Sequence, residues 1–200
     1  DVIIIGAGVS GASIARSLSK YDLDILVLEK ELDIGMGASK ANSGIVHTGF
    51  HTEPGSLMAS LNVKGAAMME ETCKDLDVPF IRNGHLVLCY KEEEMQGLED
   101  LIEQGQKNGV EDLSIINQQD LRELEPEVNA NAYGALYTPR GGIVCPMTLT
   151  LAYAELAASN GVQFRLGEQV TDIQKTSDGY RIKTNKETYE ARAIVNAAGV

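Results

Sequence analysis

The chain has 200 residues, 44% of them hydrophobic, which is enough for a sizeable core in one or two domains. Its net charge of −12 at pH 7 repels phosphate backbones and anionic lipid, which argues against a nucleic-acid partner. Three widely spaced cysteines, Cys73, Cys89 and Cys145, with no CxxC pair, argue against a disulfide framework or a metal site and point to a reducing compartment. No apolar run reaches the ~20 residues of a membrane span, so no transmembrane segment is expected, and no signal peptide is visible.

The chain opens directly on an apolar strand, residues 2–5, which runs into "GAGVSG". Continuous rather than alternating hydrophobicity marks this strand as buried and parallel. Residues 9–20 read as a helix with Ile14, Ala15 and Leu18 inward, and residues 25–28 as a second buried strand ending at Glu29. Residues 33–51 are rich in Gly and Ser and show no regular period. A helix is expected from Pro54 to Leu76, with Leu57, Leu61, Ala66, Met69 and Cys73 inward.

Further on, "FIRNGHLVLCY" at 80–90 reads as one strand, 92–107 as a helix whose acidic start suits the dipole, and 117–126 as a short helix capped by Asn117. Residues 133–139 read as a strand. Residues 148–159 form a helix stopped by Asn160-Gly161, followed by a strand at 162–166. Turns at 177–179 and 185–186 divide the next stretch into a three-stranded meander, and 193–196 is a last buried strand. The pattern predicts an α/β fold. A Rossmann-like layer, split between residues 1–50 and 146–200, would carry an α+β insertion at 51–145. Both ends fall on core strands, so the chain reads as a fragment of a longer one.

The glycine turn suggests what the layer holds. Gly6 permits a tight turn, Gly8 lets a pyrophosphate approach the backbone, and Gly11 lets the helix pack closely on the strand. The helix N-terminus offers free N–H groups to phosphates. Glu29 lies eighteen residues after Gly11, at the end of the second strand, where a carboxylate accepts hydrogen bonds from both ribose hydroxyls and repels a 2′-phosphate. An NAD domain continues at once into a helix and a third strand. This chain enters "GASKANSG" instead, where Ser39, Asn42 and Ser43 offer polar contacts and Gly44 allows close approach. That suits the longer FAD.

Taken together, "GAGVSG", Glu29, "GASKANSGIVHTG", "LEPEVN", the Gly-Gly-Ile-Val-x-Pro turn and "IVNAAG" make the chain resemble the FAD-dependent D-amino-acid-oxidase-type superfamily over essentially all of its length. Within it, the chain is most similar to the branch that holds the anaerobic glycerol-3-phosphate dehydrogenases and L-2-hydroxyglutarate oxidase. The resemblance implies that Gly6, Gly8 and Gly11 lie on the diphosphate and that Glu29 holds the adenosine ribose with Lys30 beside it. It implies that Ser39, Asn42, Ser43 and Gly44 line the diphosphate and flavin side, that Val170 meets the adenine, and that Ala198 and Gly199 pack near the dinucleotide. It places His47 near the isoalloxazine. The expected location is cytoplasmic, with peripheral attachment to the inner membrane as the alternative. Two positions depart from the pattern. His51 stands where glycerol-phosphate enzymes carry an arginine, and Cys145 stands where an acid precedes proline, which reads as a buried neutral cysteine.

Flavin enzymes of this kind take a hydride from a carbon bearing a hydroxyl or amine, while the protein orients the substrate and accepts a proton. His47 or His51 could be that base, and a structural histidine is an equal reading for each. Arg82 and Arg140 could clamp a carboxylate, against surface salt-bridging. The leading expectation is a dehydrogenase or oxidase of a small hydroxy acid or polyol phosphate. The alternatives are an amine or amino-acid oxidase of the same superfamily, or a flavin-binding electron-transfer subunit without substrate chemistry. The sequence does not identify the electron acceptor.

Overall fold

The computed structural model describes residues 1–199. In chain order the elements begin with β1 (Val2–Ile5), α1 (Val9–Leu18), β2 (Ile25–Leu28), a 3-10 turn (Ala38–Lys40), β3 (Ile45–Val46), α2 (Leu57–Asp75), β4 (Phe80–Ile81) and β5 (His85–Cys89). A 3-10 turn (Glu92–Glu94), α3 (Met95–Lys107), β6 (Ser114–Asn117), α4 (Gln118–Leu124), β7 (Gly134–Thr138) and β8 (Gly142–Val144) follow. The chain continues with α5 (Pro146–Ser159), β9 (Gln163–Arg165), β10 (Val170–Lys175), β11 (Tyr180–Thr184), β12 (Thr188–Ala191) and β13 (Ala193–Asn196). These divide into two compact units, one of residues 1–43, 76–78 and 145–200 and the other of 44–75 and 79–144.

The first unit is built on a parallel sheet of order β13-β1-β2-β9. The central strands β1 and β2 are apolar throughout because both of their faces are covered. Ile4 and Val27 point to one face, where Ala15 of α1 and Ala157 of α5 close over them. Ile3 and Leu28 point to the other, against Ile182, Tyr180 and Tyr189 of the antiparallel meander β10-β11-β12. Small residues on α1 and α5 let the two helices sit close to each other and to the sheet.

The second unit holds two three-stranded antiparallel sheets, β3-β8-β4 and β5-β7-β6. The period of two sorts the second sheet cleanly. Val87, Cys89, Leu136 and Ile115 meet Leu98 of α3 and Phe50, whereas Leu86, Leu88, Ala135 and Ile116 meet Leu121 of α4. Asn117 caps α4 as expected, its Oδ1 accepting from the Gln119 and Asp120 N–H groups.

Several expectations are corrected. Residues 44–50 belong to the second unit, because β3 pairs with β8 rather than extending the parallel sheet. The stretch 80–90 is two strands in different sheets, broken at Gly84, whose φ of +74° turns the chain. The first full helix of the second unit starts at Leu57 rather than Pro54, with the Ser56 hydroxyl accepting from the Ala59 N–H. Leu57 and Leu61 are exposed on it, while Ala59 and Cys73 are buried. Cys145 is exposed rather than buried, and hydrogen bonds from Thr148 hold its thiol below the usual range. No helix among the described residues is long and apolar enough to cross a membrane.

Ile4 is fully buried between α1, α5 and the sheet. Ile4→Ala in the full-length protein is expected to remove about 2–5 kcal/mol of stability, read as a lower urea midpoint. An unchanged midpoint would show that this layer is not the core it looks to be.

Candidate functional site

In the first unit the glycine turn is shaped by contacts that exclude any side chain. Gly6 has a φ of +100°, and a Cβ on it would run into the Ala197 carbonyl and approach the Ala198 Cα at 3.0 Å. A Cβ on Gly11 would strike the Gly6 carbonyl oxygen, so α1 can press onto the turn only without one. Gly8 is the N-cap of α1. It offers no side-chain cap, and the first turn carries no acidic residue. The one group a Cβ on Gly8 would meet is the Ser39 hydroxyl, at 3.1 Å. That hydroxyl accepts from the Val9 N–H at 2.8 Å. The positive end of a ten-residue helix therefore opens beside two glycines and one serine, the chemistry that receives a diphosphate.

Glu29 is buried at the end of β2. Its Oε2 accepts from the Ala7 N–H at 2.7 Å and its Oε1 from the Glu31 N–H at 2.9 Å. Each carboxylate oxygen keeps a second acceptor site, which is what a pair of ribose hydroxyls needs. The Glu29 carbonyl accepts from the Glu168 N–H at 2.8 Å, which anchors the segment leading into β10 and Val170. Glu168 is itself buried, its Oε1 accepting from the Thr184 and Tyr189 hydroxyls, both at 2.8 Å. Burial first, then that hydrogen bond, push the Tyr189 phenol up to about 12. Sequence reasoning missed Glu168. A lone acid between a strand and a meander carries no local signal.

Other expected residues fall around the turn unevenly. Asn42 closes the 3-10 turn that carries Ser39, its Nδ2 donating to the Ala38 and Ser39 carbonyls. Ser43 is exposed just beyond it. Lys30 is exposed and faces Glu31 at 4.0 Å rather than the glycine turn. The Ala198 N–H donates to Asn196 Oδ1, and Gly199 has a φ of +88°. Gly44 belongs to the second unit, where its carbonyl accepts from the Val144 N–H and its φ is +68°.

In the second unit all three histidines of the chain meet. The His47 ring lies 4.9 Å from that of His51 and 5.7 Å from that of His85, centroid to centroid. His85 was not anticipated, being 38 residues away in sequence. It arrives because it pairs with Thr138 across β5 and β7, and the Thr138 hydroxyl contacts that of Thr48 at 3.4 Å. Gly141 lies flat on the His85 ring, and a Cβ there would press into it. Partial burial, then the neighbouring charges of His51 and His85, hold the His47 imidazole below its usual pKa of 6.5.

The two arginines flank a pocket of about 300 Å³ that also involves Thr48, Val63 and Val110. Both are already ion-paired. Arg82 is held by Glu70 and donates to the Arg140 carbonyl, while Arg140 reaches Asp112 and Glu111, each at 2.9 Å. A substrate carboxylate or phosphate would have to displace these partners. No cluster suited to a metal ion occurs among the described residues.

A parallel sheet with a glycine turn at the head of its first helix and an acid ending its second strand has the form of a dinucleotide-binding layer. The family model described as FAD dependent oxidoreductase (DAO) matches residues 1–200, and the chain belongs to that family. It is 49% identical over 200 residues to a glycerol 3-phosphate dehydrogenase of Caloramator mitchellensis, covering all of this chain and 42% of that protein. It is 31% identical over 216 residues to a mitochondrial L-2-hydroxyglutarate dehydrogenase of Nematostella vectensis, covering all of this chain and 47% of that one. The solved structure of the L-alpha-glycerophosphate oxidase of Mycoplasma pneumoniae with FAD bound superposes with a TM-score of 0.92 at 32% identity, over 99% of this chain and 53% of that one. The chain thus spans about half the length of the relatives it matches. FAD is the cofactor of the family, and the side-chain-free cradle at Gly6, Gly8 and Gly11 fits its diphosphate.

If Glu29 holds the ribose, Glu29→Ala would remove two hydrogen bonds at ~1 kcal/mol each, and the dissociation constant for FAD is expected to rise roughly 30-fold in the full-length protein. Fluorescence titration of the apoprotein measures it. An unchanged constant would remove Glu29 from the cofactor site.

Proposed function

We propose that the full-length protein is an FAD-dependent dehydrogenase or oxidase of a small polyol phosphate or hydroxy acid, of the glycerol 3-phosphate type. The carrying observation is that a dinucleotide cradle and a histidine biased toward its neutral form occur in one chain. The relatives named for glycerol 3-phosphate and L-2-hydroxyglutarate supply the substrate class. Both substrates carry a hydroxyl on the carbon to be oxidised. Bound FAD would accept the hydride from that carbon.

The chain's own residues supply the rest. The first turn of α1 and Ser39 would hold the diphosphate, and Glu29 the ribose. His47 would take the hydroxyl proton as the C–H hydride leaves, so the alcohol becomes a carbonyl. An imidazole whose pKa lies below 6.5 is neutral at pH 7 and ready to accept. Arg82 and Arg140 would meet the substrate's anionic end only after releasing Glu70, Glu111 and Asp112. That exchange makes them selectivity residues rather than a standing clamp.

Anaerobic stopped-flow reduction of the full-length holoenzyme tests this reading. Glycerol 3-phosphate or a 2-hydroxy acid is expected to bleach the flavin. His47→Asn is expected to slow that step by ~100-fold with FAD content unchanged. Because the base works as neutral imidazole, the wild-type rate should fall as pH drops below about 6.5, and the variant should lose that acid limb. Bleaching by amines alone would point to amino-acid oxidation. Bleaching by none of them would leave only an electron-transfer role.

A further inference from the structure

The turn that carries His51 is gripped by one side chain from the end of α3. Asn108 Nδ2 donates to the Gly49 carbonyl at 2.9 Å, to the Thr52 carbonyl at 2.7 Å and to Thr52 Oγ1 at 3.3 Å. Gln104, one turn earlier, adds a bond from Nε2 to the same Thr52 carbonyl at 3.1 Å. The Thr52 hydroxyl closes the turn on the Gly49 carbonyl at 2.8 Å. Within this frame Phe50 is buried against Leu98 and Leu136, while His51 is left exposed at the tip. Gly105 is part of the fit, since a Cβ there would meet Phe50 at 3.0 Å and strike Leu113.

The Oδ1 of the same amide is buried with no hydrogen-bond partner among the described residues, so every bond made by the Asn108 side chain is a donation into the turn. We infer that Asn108 is a positioning residue for the His47–His51 pair: by fixing the Gly49–Thr52 turn it sets where the His51 ring stands beside His47.

Two imidazoles face His47. His51 is on its own turn, and His85 lies across from it at the start of β5. Beyond these, Arg82 and Arg140 are compensated by Glu70, Glu111 and Asp112, and on α3 Lys107 faces Glu103 at 3.9 Å. Releasing the turn therefore changes one neighbour of His47, the His51 ring, and its exposure.

The rate arm of the test rests on His47 acting as the base. The titration arm does not. Asn108→Asp keeps the shape and removes the donors, and Asn108→Leu removes them without introducing a charge. The full-length holoenzyme is labelled with 13C at the imidazole Cε1, and the His47 signal is identified by its loss in His47→Asn. In either Asn108 variant the His47 midpoint should rise toward 6.5, and flavin reduction per bound FAD should slow by roughly 10-fold or more with FAD content unchanged. A raised midpoint with an unchanged rate supports the positioning role and counts against His47 as base. A lowered melting temperature with both the midpoint and the rate at wild-type values would make Asn108 a purely structural residue and overturn the inference.

Discussion

The first unit depends on the hydrogen bonds made by one residue, Glu29. Its backbone N–H donates to the Arg165 carbonyl and joins β2 to β9. Its carbonyl accepts from Glu168 and anchors the start of the meander. Its carboxylate accepts from Ala7 inside the glycine turn and from Glu31 beyond the strand. A charge in this position would be costly without partners. Here it is held by two N–H groups that have no helix or strand partner of their own. The acid that would bind a ribose is also the group that shapes the turn for the diphosphate, so cofactor affinity and local stability are linked at a single side chain.

The second unit solves a different problem. Its sheets are short, and much of its order comes from packing one turn against α3 and β7. Phe50 goes into the core, Thr48 and Thr52 are buried with their hydroxyls hydrogen-bonded, and the two histidines between and beside them are turned outward. Residues 48–50 and 52 thus anchor the segment, and residues 47 and 51 are what it presents. Partial burial, then the two neighbouring imidazoles, bias His47 toward its neutral form.

Local pattern and long-range pairing account for what the sequence disclosed. β1, α1, β2 and the meander were legible because each has a period and punctuation of its own, in the apolar run of 2–5, the glycines and the turn residues. Gly6, Gly8, Gly11 and Glu29 sit at fixed offsets on these elements, and so could be read along with them. β3 and β8 were not found, and β4 was not separated from β5, because two or three residues carry no period and their pairing is set by partners up to about a hundred positions away. His85 was missed for the same reason, since only the β5–β7 register brings it to His47. Leu57 and Leu61 misled because helical spacing shows which residues share a face but not which face is covered.

The cofactor site is defined by a glycine turn that holds FAD and no other dinucleotide. Acid release of the small molecule from the purified full-length protein, followed by mass measurement and visible absorption, addresses this directly. Stoichiometric FAD is expected, with a yellow protein whose colour is lost when the cofactor is removed. NAD in its place, or a colourless protein that takes up no flavin, would show that the turn serves another ligand.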